Sequence, residues 1–217
     1  MRTCFLKRGG TNLVVFFEGY GQDERPFAKM AEIMPKSSAL LCCYDYAQKG
    51  DLPDLSSYEK TRLIAWSMGV ALAPHYAKCL SNIVERIAVN GTVEGIDPKY
   101  GIDPGLWDKT AASLDERAAA SFRLAMCGRG YRNYMKTGTS RSAGSMMAEL
   151  LWIRNFLKEK PPSQGSFYDC AYVSGADLIF PPKAQRLSFN QRHVEIREVE
   201  GAHYQPELFA RLIAERF

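Results

Sequence analysis

The 217 residues predict an α/β fold, a mostly parallel central sheet flanked by helices, with a helical insertion between two of its strands. Three observations carry that expectation. Short apolar runs rich in β-branched and aromatic residues alternate with helix-like segments through residue 90, in the order strand, helix, strand, helix, strand. One run, Arg62 to Trp66, passes through Ser67 directly into Met68-Gly69-Val70-Ala71-Leu72-Ala73, reading as strand, tight turn and helix. The pattern then breaks: residues 106–160 are helical in type, and sheet order resumes only at Phe167.

Taken in order, residues 3–7 form a short strand that Gly9-Gly10 ends. Leu13 to Phe17 (LVVFF) is continuously apolar, as suits a central strand buried on both faces. Glu18 to Asp23 is a glycine-punctuated loop, and a helix is expected from about Glu24 to Met34, stopped by Pro35. Ala39 to Tyr46 is the next strand. Ser56 or Ser57 is placed to cap a short helix before the strand that ends at Ser67. A helix over 69–80 precedes the strand Arg86 to Asn90, and residues 91–105 are loop-like. The helical stretch 106–160 is interrupted at Gly128, Gly130 and 137–144. A strand over Phe167 to Ser174, a short helix after Pro181-Pro182, a strand from His193 to Val199 and a helix from about Pro206 to Phe217 complete the chain. The whole reads as one domain, 1–217, whose insertion (about 95–160) covers the carboxyl ends of the strands as a lid.

Bulk properties narrow the function classes. A net charge of +4 implies no nucleic-acid partner. No window approaches the ~20 apolar residues of a membrane helix, and the first residues lack the apolar stretch of a signal peptide. The six cysteines show no metal-type spacing, and Cys42-Cys43 lie inside an apolar run, where thiols act as small hydrophobes. The expectation is a cytoplasmic protein without a metal.

The chemistry centres on Ala65-Trp66-Ser67-Met68-Gly69. A small residue two before and a glycine two after a serine, at a strand-to-helix corner, is how an α/β-hydrolase fold presents its nucleophile. A lone hydroxyl is a poor nucleophile and needs a base. His203 is the candidate base and Asp177 the candidate carboxylate; each follows a predicted strand, in the chain order Ser, Asp, His that this fold requires. His75 falls inside a helix and His193 at the amino end of a strand, both on the wrong side of the sheet. Asp45 and Asp169 are the rivals of Asp177. Two backbone N–H groups must face the developing oxyanion: Met68, after the nucleophile, and Tyr20, in the bend that Gly19 and Gly21 permit. Trp66, Tyr20 and the aromatics of the insertion are expected to line an acyl pocket, with Gly19 beside them. Between Lys109 and Lys160 stand ten Lys and Arg against four Asp and Glu, in a chain whose net charge is only +4. Such an excess beside an active-site mouth can steer an anionic partner.

With these residues in view, the chain resembles the BioG-type pimeloyl-[acyl-carrier-protein] methyl ester esterases. The resemblance rests on FFEGYGQD (16–23), IAWSMG around Ser67, VNGTVEGID (89–97), and the GADLIFPP and EGAHYQP segments. It implies cofactor-free hydrolysis of the methyl ester of pimeloyl-carrier protein in biotin synthesis, releasing methanol, and docking of an acidic acyl carrier protein. Arg123, Arg129, Arg132 and Arg154 are the candidates for meeting the carrier's phosphopantetheine phosphate. Glu18 stands where many hydrolases have His, and Ala65 where most have Gly. A general carboxylesterase, a thioesterase, a carbon–carbon bond hydrolase and a non-catalytic acyl-binding protein remain open at this stage.

Overall fold

The computed structural model describes residues 1–162 and 165–217. Seven strands form one sheet: β1 (Arg2–Lys7), β2 (Asn12–Phe17), β3 (Ser38–Tyr44), β4 (Lys60–Trp66), β5 (Ile83–Val89), β6 (Cys170–Ser174) and β7 (Glu195–Val199). Their spatial order is β1-β3-β2-β4-β5-β6-β7, and every pairing is parallel except β1 with β3. From β2 the chain moves outward to β3, then returns to β4 on β2's other side. That reversal opens a crevice beyond the carboxyl ends of β2 and β4, where open α/β sheets bind ligands.

The LVVFF run sits at this centre. Strand alternation sends Leu13, Val15 and Phe17 into the core on one face of the sheet, with Leu63 and Ala65. Val14 and Phe16 go to the other face, with Ile64 and Trp66. Burial of Leu13–Phe17 in β2 and of all of β3 thus explains the unbroken apolar text.

Local chemistry modifies several expected elements. Residues Arg25–Ile33 form a 3-10 helix rather than an α-helix, with Phe27 and Met30 buried at the three-residue spacing of that geometry. No helix forms at Ser56 and Ser57. The Asp54 side chain accepts from the Ser56 N–H at 3.0 Å, and Tyr58 N–H closes a turn onto Leu55, so the segment bends straight into β4. Helix α1 (Met68–Tyr76) carries Pro74 and gives way to a 3-10 turn, Ala77–Cys79.

Four helices fill the insertion: α2 (Pro104–Ala112), α3 (Glu116–Cys127), α4 (Tyr131–Thr137) and α5 (Ala143–Glu159). Asp103, Asp115 and Ser142 cap the first, second and fourth by accepting from Leu106, Ala118 and Ser145 N–H groups. Helices α6 (Pro182–Asn190) and α7 (Pro206–Ala214) complete the layers. Among the described residues, no helix is long and apolar enough to cross a membrane.

Candidate active site

Ser67 stands between β4 and α1 at φ 59°, ψ −128°, a region that side chains other than glycine rarely occupy. The turn is held from both sides. Ser67 N–H donates to the Val89 carbonyl and its own carbonyl accepts from Val70 N–H, each at 3.0 Å. Gly69 allows the close approach of α1 to β2: a Cβ there would lie 2.4 Å from the Phe17 carbonyl oxygen.

His203 Nε2 lies 2.8 Å from Ser67 Oγ, and His203 Nδ1 lies 2.8 Å from Asp177 Oδ2. The structure therefore brings Ser67, His203 and Asp177 into one relay, from the loops after β4, β7 and β6. Asp177 Oδ1 accepts from the Ile179 and Phe180 N–H groups at 2.8 and 2.9 Å, and Oδ2 also accepts from Gln185 Nε2 at 3.0 Å. A carboxylate with only donors around it needs the Nδ1 proton of His203, which leaves Nε2 free to accept from the Ser67 hydroxyl. The Phe180 ring stacks on the imidazole at 6.0 Å between centroids. All three side chains are covered: Ser67 is 3 % exposed, Asp177 4 % and His203 0 %.

The rivals lie elsewhere. His75, on α1, packs edge-on against Phe156 of α5, and burial, with Lys160 and Lys78 nearby, pushes its imidazole pKa down. His193 is exposed in the turn before β7. Asp45 is ion-paired with Arg141 at 2.9 Å, and Asp169 accepts from the Arg86 N–H at 2.7 Å.

The loop after β2 closes on the nucleophile: a Cβ at Gly19 would come within 3.0 Å of the Ser67 Cβ. Met68 opens α1, so its N–H has no intrahelical acceptor. Gly21 N–H is already committed to Glu149 Oε2 at 2.9 Å, whereas the Tyr20 N–H donates to no acceptor among the described residues. The Tyr20 side chain is buried against Phe122 and Trp107, and burial raises its phenol pKa.

Trp66 does not line a pocket. Its side chain points to the opposite face of the sheet from Ala65 and is 0 % exposed, packed among Phe27, Tyr204 and Phe209. Its indole N–H donates to the His203 carbonyl at 3.0 Å. The four arginines also diverge. Arg154 is bound to Asp108 at 2.9 and 3.1 Å, and Arg123 donates to the Arg141 carbonyl at 2.9 Å. Arg129 and Arg132 are exposed, and Arg129 borders a groove of ≈ 1100 Å³ also lined by Lys29, Ile33, Tyr134, Leu178 and Ala202. The groove passes the neighbours of His203, beside the relay rather than over Ser67.

Sequence reasoning missed three supports. Asn90, at the end of β5, donates to the His203 carbonyl at 2.8 Å and accepts from Ser174 N–H at 2.8 Å. Its place just after a strand run was the available signal. Gln185 and the Arg141–Glu149 pair left no local mark. Among the described residues, no group of three or more His, Cys, Asp or Glu is arranged to hold a metal ion.

Comparison with known proteins gives the family and the fold. The model of the family described as "Pimeloyl-ACP methyl esterase BioG" matches residues 1–214. The chain is 34% identical over 206 residues to a malonyl-[acyl-carrier protein] O-methyltransferase of Bacteroides fragilis, covering 93% of this chain and 41% of that one. It thus spans about two fifths of that curated relative. The crystal structure of BioG from Haemophilus influenzae superposes with a TM-score of 0.87 at 27% identity, over 99% of this chain and 100% of that one. An α/β hydrolase from a Medee basin deep-sea metagenome library superposes at 0.66 and 14% identity, over 97% and 92% of the two chains, a likeness of fold alone. The chain has the α/β-hydrolase fold and belongs to the BioG pimeloyl-ACP methyl esterase family.

Proposed function

We propose that this protein is a serine esterase that hydrolyses the methyl ester of a pimeloyl chain carried on acyl carrier protein, a step of biotin synthesis. The observation that carries the reading is the unbroken contact from Ser67 Oγ through His203 to Asp177, 2.8 Å at each step. In this reading Ser67 Oγ attacks the ester carbonyl carbon while His203 Nε2 takes the hydroxyl proton. Asp177 holds the imidazole in the required tautomer and offsets its charge. The carbonyl oxygen becomes an anion between the Tyr20 and Met68 N–H groups. Collapse expels methoxide, which takes the proton from His203 and leaves as methanol. Water, deprotonated by the same imidazole, then attacks the acyl carbonyl, and the imidazolium returns that proton to Ser67 Oγ as the acid leaves.

Helices α2–α5 act as the lid in this account. Ser67 is 3 % exposed, so an ester reaches it only once side chains above it move. The basic excess of the insertion and the groove edge at Lys29 and Arg129 suit an acidic carrier and its phosphate-bearing arm. Purified protein incubated with pimeloyl-carrier protein methyl ester is expected to release methanol and shift the carrier's mobility, and Ser67→Ala to do neither. No release from that substrate, with turnover of short nitrophenyl esters, would move the reading to a general carboxylesterase.

A further inference from the structure

The insertion meets the loop after β2 at several points, and one of them is a buried ion pair. Glu149, on α5, is 0 % exposed, and its carboxylate accepts from three donors: Gly21 N–H at 2.9 Å, Tyr46 N–H at 2.9 Å and Arg141 Nη1 at 2.6 Å. Gly21 follows Tyr20 in the loop after β2, and Tyr46 follows β3. Arg141 is itself locked, since its Nη2 donates to Asp45 Oδ1 at 2.9 Å and to the Ser145 carbonyl at 3.0 Å. Its side chain is only 7 % exposed. Taking such a pair out of water costs about as much as its attraction returns, so burial alone gives it little net stabilising value. What it does supply is direction. Gly21 sits at φ +73°, a conformation side chains rarely adopt, and the terminal methyl of Met146 on α5 packs against it, 2.8 Å from where a Cβ would stand. Two contacts from one helix therefore fix the peptide unit immediately after the proposed oxyanion donor.

We infer that Glu149, braced by Arg141, is a positioning residue that holds the Gly19–Gly21 loop so that the Tyr20 N–H faces the oxyanion. Resting on the esterase reading above, the inference makes the insertion part of the catalytic frame as well as its cover.

The test uses Glu149→Gln, which keeps size and one acceptor oxygen but directs an amide at donors that need an acceptor. On 4-nitrophenyl butyrate, kcat is expected to fall roughly tenfold to a hundredfold, within what loss of an oxyanion donor costs, with KM changed less than about twofold. Binding of an alkyl trifluoromethyl ketone, which forms a tetrahedral oxyanion on Ser67, is expected to weaken by the same factor as kcat/KM. Arg141→Lys keeps the charge, loses the fork and should show a smaller loss with the same proportionality; it serves if Glu149→Gln does not fold. A lower melting temperature with kcat and inhibitor affinity unchanged in these variants overturns the inference, leaving the pair merely structural. Ser67→Ala separates the two claims: if it is inactive while both clamp variants keep full kcat, only the Glu149 inference falls. If Ser67→Ala keeps turning over ester, both fall.

Discussion

The Trp66 indole N–H donates to the backbone carbonyl of His203 at 3.0 Å, so the residue preceding the proposed nucleophile holds the loop of the proposed base. Asn90 Nδ2 donates to the same carbonyl at 2.8 Å. One buried oxygen thus ties the ends of β4, β5 and β7 together. Trp66→Phe removes one of the two donors and shrinks the core. We expect a stability loss of about 1–3 kcal/mol and a several-fold lower kcat, read by urea denaturation and steady-state kinetics. Asn90→Ala should cost more, because Ser174 N–H also loses its acceptor. Wild-type kcat in both variants would show that the carbonyl anchor does not matter to turnover.

Ser67 stores backbone strain at φ 59°. Glycine adopts that conformation without strain, whereas alanine, like serine, adopts it only under strain. Ser67→Gly should therefore be more stable than Ser67→Ala by about 1 kcal/mol in urea melts. Both should lose fluorophosphonate labelling and most turnover, by roughly six orders of magnitude. Equal stability of the two variants would mean the turn carries no strain.

Glu18, buried in the site loop, has no N–H or O–H donor on either oxygen among the described residues, only the Cys42 thiol beside it. Burial raises its pKa well above the usual value; a contact from Cys42 partly opposes the shift, and Asp23, Glu24 and Glu149 reinforce it. A raised folded pKa means the native state keeps a proton that the unfolded chain releases near pH 4.5. Its stabilising contribution is complete below that pH and is lost as pH climbs toward the folded value, with a slope of up to about 1.4 kcal/mol per pH unit. Glu18→Gln mimics the protonated acid. Urea melts across pH 4 to 8 should show the variant gaining on the native protein as pH rises, and parallel curves would refute the assignment.

Arg129 borders the groove beside His203, whereas Arg154 is occupied by Asp108. Arg129→Glu should raise KM for the carrier-bound ester relative to a nitrophenyl ester, most at low salt. Arg154→Ala should change stability by less than about 1 kcal/mol, as exposed pairs do, and leave that ratio alone. An unchanged ratio in Arg129→Glu would remove the groove from carrier binding.

What the text of the chain disclosed was whatever depends on near neighbours. The elbow at Ser67, the apolar β2 and the strand-end positions of Asp177 and His203 are local patterns, and the sheet follows from them. The supporting groups depend on distant partners: Glu149 meets Gly21 across 128 residues and Trp66 meets His203 across 137. No spacing rule encodes such meetings. Trp66 adjoins Ser67 in the chain, yet strand alternation turns its side chain to the face of the sheet opposite Ala65. The helix expected near Ser56 failed for a smaller reason, since the Asp54 side chain captured the N–H of Ser56 for a turn.

The complete enclosure of His203, against an exposed His193 and a half-buried His75, bears on any attempt to count essential histidines with acylating reagents. Diethyl pyrocarbonate should consume the two accessible imidazoles first and leave hydrolysis intact. Inactivation should then lag behind the ultraviolet signal of modification, so a titration curve read naively would credit the wrong ring.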